Sequence, residues 1–255
     1  MQTGNDRAEW LKGGGARCSV LPEPQTHPVR LLLLGAPGVG KGTQAELLSE
    51  YFDTCHLSTG DVFRAAKNSD NSGRSPAMTA ALDCMRRGEL VSDETVLALV
   101  AERSGCLRCG GGFLLDGFPR TVAQAVALDK LLADQKVPLD AVLDYNLPLQ
   151  DIIARLSGRR ACPKCKANFH IEALPPKTVG VCDHCGGFLY QREDDRPGAI
   201  RIRMDAYEKN AEPLKEYYER KKLLVSVVAA GTPTETFARA LEALKTRIST
   251  EGVRK

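Results

Sequence analysis

Gly35-Ala36-Pro37-Gly38-Val39-Gly40-Lys41-Gly42-Thr43 is the stretch on which the reading of this chain turns. Ahead of it, Val29 to Leu34 is an apolar run broken only by Arg30, short enough for one buried strand. Behind it, Gln44 to Phe52 reads as a helix with Leu47, Leu48, Tyr51 and Phe52 on one side. Strand, glycine loop and helix in that order are what a phosphate-binding loop requires. The glycines let the backbone curl until successive N–H groups point at anionic oxygens, and the helix N-terminus adds the positive end of its dipole. Lys41 is then the mobile positive charge that reaches the outer phosphates. Position 42 is Gly, where most such loops carry a Ser or Thr for magnesium.

Working outward, further apolar strands are expected at Cys55 to Leu57, Gly112 to Asp116, Ala141 to Tyr145 and Leu223 to Val228. Helices are expected around Val62 to Arg64, from Met78 to Arg87, after a Ser92 cap, and at Thr121 to Leu132 and Leu149 to Ser157. Two more span about Ile200 to Arg220 and Pro233 to Ile248. Ser58 and Asp61 have capping-box spacing, with Asp in place of the usual Glu or Gln. Five strands alternating with helices predict an α/β fold: a five-stranded parallel sheet with helices on both faces. Ligands of such sheets bind beyond the carboxyl ends of the strands. Residues 35–43, 58–61 and 116–120 all follow strands, so they are expected to converge on one crevice.

Composition sets bounds on the rest. The chain has 255 residues, 43% hydrophobic and 26% charged, an ordinary globular balance with enough length for a sizeable core. A net charge of +3 is too small to argue for a nucleic-acid partner, and no apolar run approaches a membrane span. Nine cysteines is an odd number, and metal binding explains paired cysteines better than disulfides where thiols stay reduced. A cytoplasmic location is expected. Residues 1–28, with Gly13-Gly14-Gly15 and prolines 22, 24 and 28, read as a flexible arm: an address, a docking tail, or an extension without function. Its balanced acids and bases do not suit a mitochondrial transit peptide.

Bases are plentiful around the expected crevice: Lys41, Arg64, Arg120, Arg155, Arg159, Arg192 and Arg203. Phosphoryl transfer needs charge neutralisation and alignment more than covalent chemistry, and the planar arginine fork suits it. No Ser-His-Asp set or general base stands out. An acceptor that is itself a phosphate presents an anionic oxygen and needs none.

Gly-Ala-Pro-Gly-Val-Gly-Lys-Gly-Thr-Gln (35–44), Ser-Thr-Gly-Asp (58–61) with Arg64, Asp-Gly-Phe-Pro-Arg-Thr (116–121) with Gln124, and Gly-Arg-Arg (158–160) closely resemble adenylate kinases. The resemblance runs from about Arg30 to the last helix. It implies reversible transfer of the terminal phosphoryl group of ATP to AMP, giving two ADP, with Mg2+, by a monomeric enzyme. Glycine at position 42 is ordinary in that family, with Thr43 as the nearby hydroxyl. By resemblance, Gly38, Val39, Gly40, Lys41, Gly42 and Thr43 are the ATP phosphate cradle. Thr59, Arg64, Gly117, Phe118, Pro119, Arg120 and Gln124 belong to the AMP side, Gln124 reading the base. Glu89, Leu90 and Val91 fall where the family lines the AMP pocket. Asp116 resembles the acid that orients magnesium-bound water. Arg155 and Arg159 resemble ATP-side arginines, and Arg192 and Arg203 those that clamp the phosphates on closure. Pro233, after Gly231-Thr232, falls where the family holds adenine by backbone. The implied layout is a core over 29–255 with a helical AMP-binding insert at 58–87 and a lid at 159–196.

Cys162-Pro-Lys-Cys165 and Cys182-Asp-His-Cys185 are separated by sixteen residues. That spacing fits a closed tetrahedral zinc site, with two disulfides or four unrelated thiols as alternatives. The position between Arg159 and Arg192 is where long-form adenylate kinases carry a lid, so the resemblance assigns Zn2+ to lid folding. Phe169 is either a lid aromatic stacking near adenine or part of the lid's small core. Cys106 and Cys109 read as unrelated thiols. Two alternatives stand beside ATP and AMP: a GTP:AMP or UMP/CMP kinase of the same family, and, more distantly, a zinc-dependent nucleic-acid-binding module whose locally basic insert is the reader.

Overall fold

The computed structural model describes residues 8–12, 18, 24–67, 75–86, 91–165 and 167–248. In chain order the first elements are α1 (Ala8–Lys12), β1 (Val29–Gly35), α2 (Lys41–Phe52), β2 (Cys55–Ser58), α3 (Thr59–Lys67), α4 (Pro76–Arg86) and α5 (Asp93–Ala101). Then come β3 (Gly112–Asp116), α6 (Val122–Asp134), β4 (Ala141–Asn146), α7 (Leu149–Gly158), β5 (Arg159–Ala161) and β6 (Asn168–His170). The chain closes with α8 (Pro197–Arg220), β7 (Leu224–Val228) and α9 (Pro233–Leu244).

The main sheet is parallel, in the order β2-β3-β1-β4-β7. This is why Leu31 to Leu34 is apolar without alternation: β1 is central, and both its faces are covered. Leu32 and Leu34 join the side of α3, α5 and α6, with Phe113, Leu115 and Leu128. Leu31 and Leu33 join the opposite side, with Ala45 and Leu48 of α2 and Ala240 and Leu244 of α9. The edge strand β7 alternates instead, Val225 and Val227 buried and Ser226 and Val228 exposed.

β1 pairs with β3 on one side and β4 on the other. The chain thus reverses its direction of sheet growth at β1, and the loop leaving its carboxyl end opens onto the crevice such a switch creates. Helix α8, which carries Arg203, is anchored beside it: Lys215 Nζ lies 2.8 Å from Oδ2 of the buried Asp144 at the end of β4.

The expectation that residues 1–28 form a flexible arm does not hold where the segment is described. Residues 8–12 are a helix, and Trp10 is buried against α3 and α5 because its indole belongs to the main apolar cluster. The lid, which has no readable period, contains an antiparallel pair, β5 with β6. Strands of three residues are too short to leave one. Of the AMP-insert range 58–87, residues 68–74 and 87 lie outside the described residues, as do Glu89 and Leu90. The last helix is regular to Leu244, not Ile248, although Ile248 still packs against the sheet.

Candidate active site

Gly35, Gly38 and Gly40 have φ of +129°, +83° and +108°, conformations that carry the chain from β1 around the loop into α2. The loop is close-packed as well as curled. A Cβ on Gly38 would lie 2.5 Å from Leu156 Cγ, whereas one on Gly42 would meet nothing within 4 Å. Lys41 Nζ folds back over the loop and donates to the carbonyl oxygens of Gly35 (2.7 Å) and Ala36 (2.9 Å). Thr43 lies in the first turn of α2.

Asp116 ends β3 beside this loop, and its Oδ2 lies 3.8 Å from His56 Nε2. Burial opposes its ionisation, but His56 and the charges of Lys41 and Arg120 outweigh it and hold the carboxyl below the usual range. Burial lowers Lys41 to about 8. Asp116 opposes that fall, and the positive fields of Arg120, Arg203 and Arg159 add to it. The same cations disturb one another. Burial pushes Arg192 down to about 10, with Arg159 and Arg64 contributing, and lowers Arg120, with Arg203 and Arg64 contributing. Arg120, Arg159 and Arg203 therefore act on Lys41, which faces Asp116, and Arg64 and Arg192 act in turn on these arginines. So much like charge is tolerable around a polyanion.

The arginines are individually held. Arg159 Nε and Nη2 donate to the two carboxylate oxygens of Asp195, at 2.7 and 2.5 Å. Arg203 Nη1 donates to the Asp194 carbonyl at 2.8 Å and lies 3.5 Å from Asp195 Oδ1. Arg192 Nη2 donates to Asn168 Oδ1 (2.7 Å) and Arg64 Nη2 to Asp61 Oδ1 (2.5 Å). Arg120 Nε donates to the Gly117 carbonyl at 2.8 Å. The sequence reading missed Asp195, which is fully buried. Within Glu193-Asp194-Asp195 it looks like a solvated acid, and only the fold of the lid reveals it.

Arg155 occupies a different place from the cluster. Its guanidinium bridges the loop to the segment before α9, donating to Val39 O (3.1 Å) and Ala229 O (3.0 Å). Pro233 is joined to the same region, since its carbonyl accepts from Gln44 Nε2 at 2.9 Å.

On the other side of the crevice, Thr59 Oγ1 donates to the Asp116 carbonyl at 3.3 Å. Gln124 is 4% exposed and fixed at both ends: Oε1 accepts from Arg120 N–H (2.8 Å), and Nε2 donates to Asp93 Oδ1 (2.6 Å). Asp93, outside the expected site residues, is fixed in turn by Thr121 Oγ1 at 2.9 Å. An amide so held retains one N–H and one lone pair for a base edge. Gly117 has φ of +81°, and the turn continues through the buried Phe118, a cis peptide bond to Pro119, and Arg120. Val91, half-buried, packs against the same apolar cluster.

In the lid, the sulfur atoms of Cys162, Cys165, Cys182 and Cys185 all lie within 4.8 Å of one another, a group able to hold a metal ion. Burial opposes ionisation of Cys162, but the backbone N–H groups of Cys165 and Lys164 hold its thiol down to about 6, which favours a thiolate ligand. Of its two expected places, Phe169 takes the lid's own core and not the adenine side: it is 6% exposed and buried with Cys162 and Cys182. Cys109 N–H donates to the Cys106 carbonyl at 3.2 Å, but the two thiols do not pair: Cys109 Sγ lies 3.0 Å from Cys55 Sγ.

Residues 33–223 match the family model described as adenylate kinase. The chain belongs to the adenylate kinase family. It is 46% identical over 217 residues to an adenylate kinase of Carboxydothermus hydrogenoformans, covering 85% of this chain and 100% of the relative. It is 48% identical over 217 residues to an adenylate kinase of Caldicellulosiruptor saccharolyticus, covering 85% and 99%. With one from Streptomyces griseus it shares 44% over 220 residues, covering 85% and 98%. An adenylate kinase core thus accounts for the loop, the 116–120 turn and the lid arginines together. None of the helices in the described residues is long and apolar enough to cross a membrane.

Proposed function

We propose that this chain catalyses reversible transfer of the terminal phosphoryl group of ATP to AMP, giving two ADP, and so balances the adenine nucleotide pool. The observation that carries this reading is the linked set of cations beside the phosphate loop: Arg120, Arg159 and Arg203 act on Lys41, Arg64 and Arg192 act on them, and Asp116 faces Lys41 and Arg120. A family match over residues 33–223 accompanies it. Neither a nucleic-acid reader nor a kinase for other nucleotides is favoured by relatives that all carry the name adenylate kinase.

In this reading, the backbone of Gly38 to Thr43 cradles the donor phosphates, and Lys41 exchanges the Gly35 and Ala36 carbonyls for a phosphate oxygen. Arg155 and the Pro233 segment wall the donor base. Arg64 and Arg120 hold the acceptor phosphate, with Thr59, Val91 and the 117–119 turn beside it, while the free N–H and lone pair of Gln124 read the base. Glu89 and Leu90 retain their assignment to this pocket by resemblance alone. Arg159, Arg192 and Arg203 neutralise the charge spread over the phosphoryl oxygens in transit. The acceptor oxygen is already anionic, so no residue need remove a proton.

Asp116, kept ionised at the end of β3, suits a hard cation held through water, and Mg2+ would neutralise charge on the donor phosphates when bound. The four lid sulfurs suit Zn2+, which would supply the folding energy that the lid's small core cannot. The free cysteines of the described residues fit a reducing cytoplasm.

The test is ADP formation from ATP and AMP with magnesium. Lys41→Met or Arg120→Ala should reduce turnover at least about a hundredfold, the scale of losing one transition-state charge contact. Undiminished turnover in either variant would overturn the reading.

A further inference from the structure

Trp10 is the one tryptophan of the chain, and it lies ahead of the 33–223 segment that the family model matches. It is nevertheless 1% exposed. Its indole N–H donates to the carbonyl of Ser58 at 3.0 Å, the residue that ends β2 immediately before Thr59. Around the ring stand Val62 and Phe63 of α3 and Val96, Leu99 and Val100 of α5.

A second observation ties α1 to the same place. Arg103, just beyond α5, is 2% exposed, and burial lowers its pKa. Two of the acceptors of its guanidinium belong to α1: Nε donates to Trp10 O (2.7 Å) and Nη2 to Lys12 O (3.4 Å). The others are Leu99 O (2.9 Å) and Glu102 Oε2 (3.0 Å). A buried cation left with unmatched donors is costly, so the core is built to receive α1. The carbonyls it offers are those at the helix C-terminus, where a cation is most welcome.

We infer that Trp10 is a positioning residue for the acceptor-nucleotide site, with α1 acting as a strut that fixes α3 against α5. Thr59 follows the carbonyl that Trp10 holds, and Arg64 sits on the same short helix. Holding α3 in place beforehand removes part of the ordering cost of binding the acceptor. The donor loop follows β1, two strands away from β2, and its helix α2 packs on the opposite face of the sheet from Trp10, so the contact bears on acceptor binding and not on donor binding. The inference rests on the reading of Thr59 and Arg64 as acceptor-side residues.

Steady-state kinetics of full-length Trp10→Phe and Trp10→Ala test it, with Arg64→Ala alongside. Trp10→Phe keeps a ring and loses the N–H. It should raise KM for AMP about three- to tenfold, the scale of one buried hydrogen bond, with KM for ATP unchanged. Trp10→Ala should raise it further. A KM for AMP unchanged in Trp10→Phe, or KM values for AMP and ATP rising together, would overturn the strut. If Arg64→Ala leaves KM for AMP unaltered, the acceptor assignment has failed; if it raises KM and Trp10→Phe does not, only the strut has failed. Should Trp10→Ala not fold, the wild-type protein still decides. Its sole tryptophan should change emission saturably with AMP and not with ATP, and an emission blind to saturating AMP counts against the inference.

Discussion

Asp195 receives both Nε and Nη2 of Arg159 while fully shielded from solvent, and Arg203 approaches the same carboxylate. One buried acid therefore orients Arg159 at the start of the lid and lies beside Arg203 of α8, which Asp194 holds more closely through its carbonyl (2.8 Å) and Oδ2 (3.0 Å). Asp195→Asn keeps the shape and removes the charge. Breaking a buried pair costs about 3–5 kcal/mol, so urea denaturation should show a clear loss of stability and kcat should fall at least about tenfold. A variant as stable and active as wild type would mean that the arginines do not depend on this carboxylate.

The low pKa of Lys41 gives a pH signature. An ordinary lysine stays charged to 10.5, but here the proton leaves as pH rises through about 8. The neutral amine cannot hold a phosphate, so kcat/KM for ATP, which reports the free enzyme, should decline above about pH 8. Between those two values the unfolded chain binds the extra proton, so this group makes stability rise with pH while activity falls. A rate profile level to pH 10 would contradict the assignment of the cation.

Two glycines of the loop separate conformation from contact. Gly38→Ala places a methyl 2.5 Å from Leu156 Cγ at φ of +83° and should cost about 1–3 kcal/mol of stability, with loss of ATP binding. Gly42→Ser enters open space in the first turn of α2, so both the thermal midpoint and KM for ATP should stay within about threefold and a few degrees of wild type. Equal damage from the two would show that the loop is not held by its packing on Leu156.

The lid should carry one metal ion per chain. Metal analysis of purified protein is expected to find zinc, and Cys182→Ser should lose it. The lid's remaining core is only Cys162, Phe169 and a few neighbours, so the melting midpoint should drop by more than about 5 °C, given the several kcal/mol that structural zinc supplies. Stoichiometric free thiols and no bound metal would refute the site.

Much of the architecture could be read in advance because it is locally encoded. The run Val29–Leu34 had to be a strand covered on both faces, the glycines had to make the turn, and Asp116 had to end a strand on the same side as the loop. The Cys-x2-Cys pairs announced a cluster for the same reason: each knuckle is a short-range turn. Phe169 was ambiguous, since an aromatic beside a cysteine knuckle looks the same whether it faces the lid core or a ligand. Helix α1 left no signal at all, being five residues in a segment rich in helix breakers.

The sequence by itself determined the order of the sheet strands and the helices between them, the phosphate loop and the two Cys-x2-Cys knuckles, because each depends on residues close together in the chain. Tertiary structure alone decided which acids hold the arginines, that Gln124 is clamped between Arg120 and Asp93, and that Trp10 reaches Ser58 across 48 positions. Burial made those choices. A carboxylate or an indole acquires its role from what excludes water around it, and that is settled only when distant segments meet.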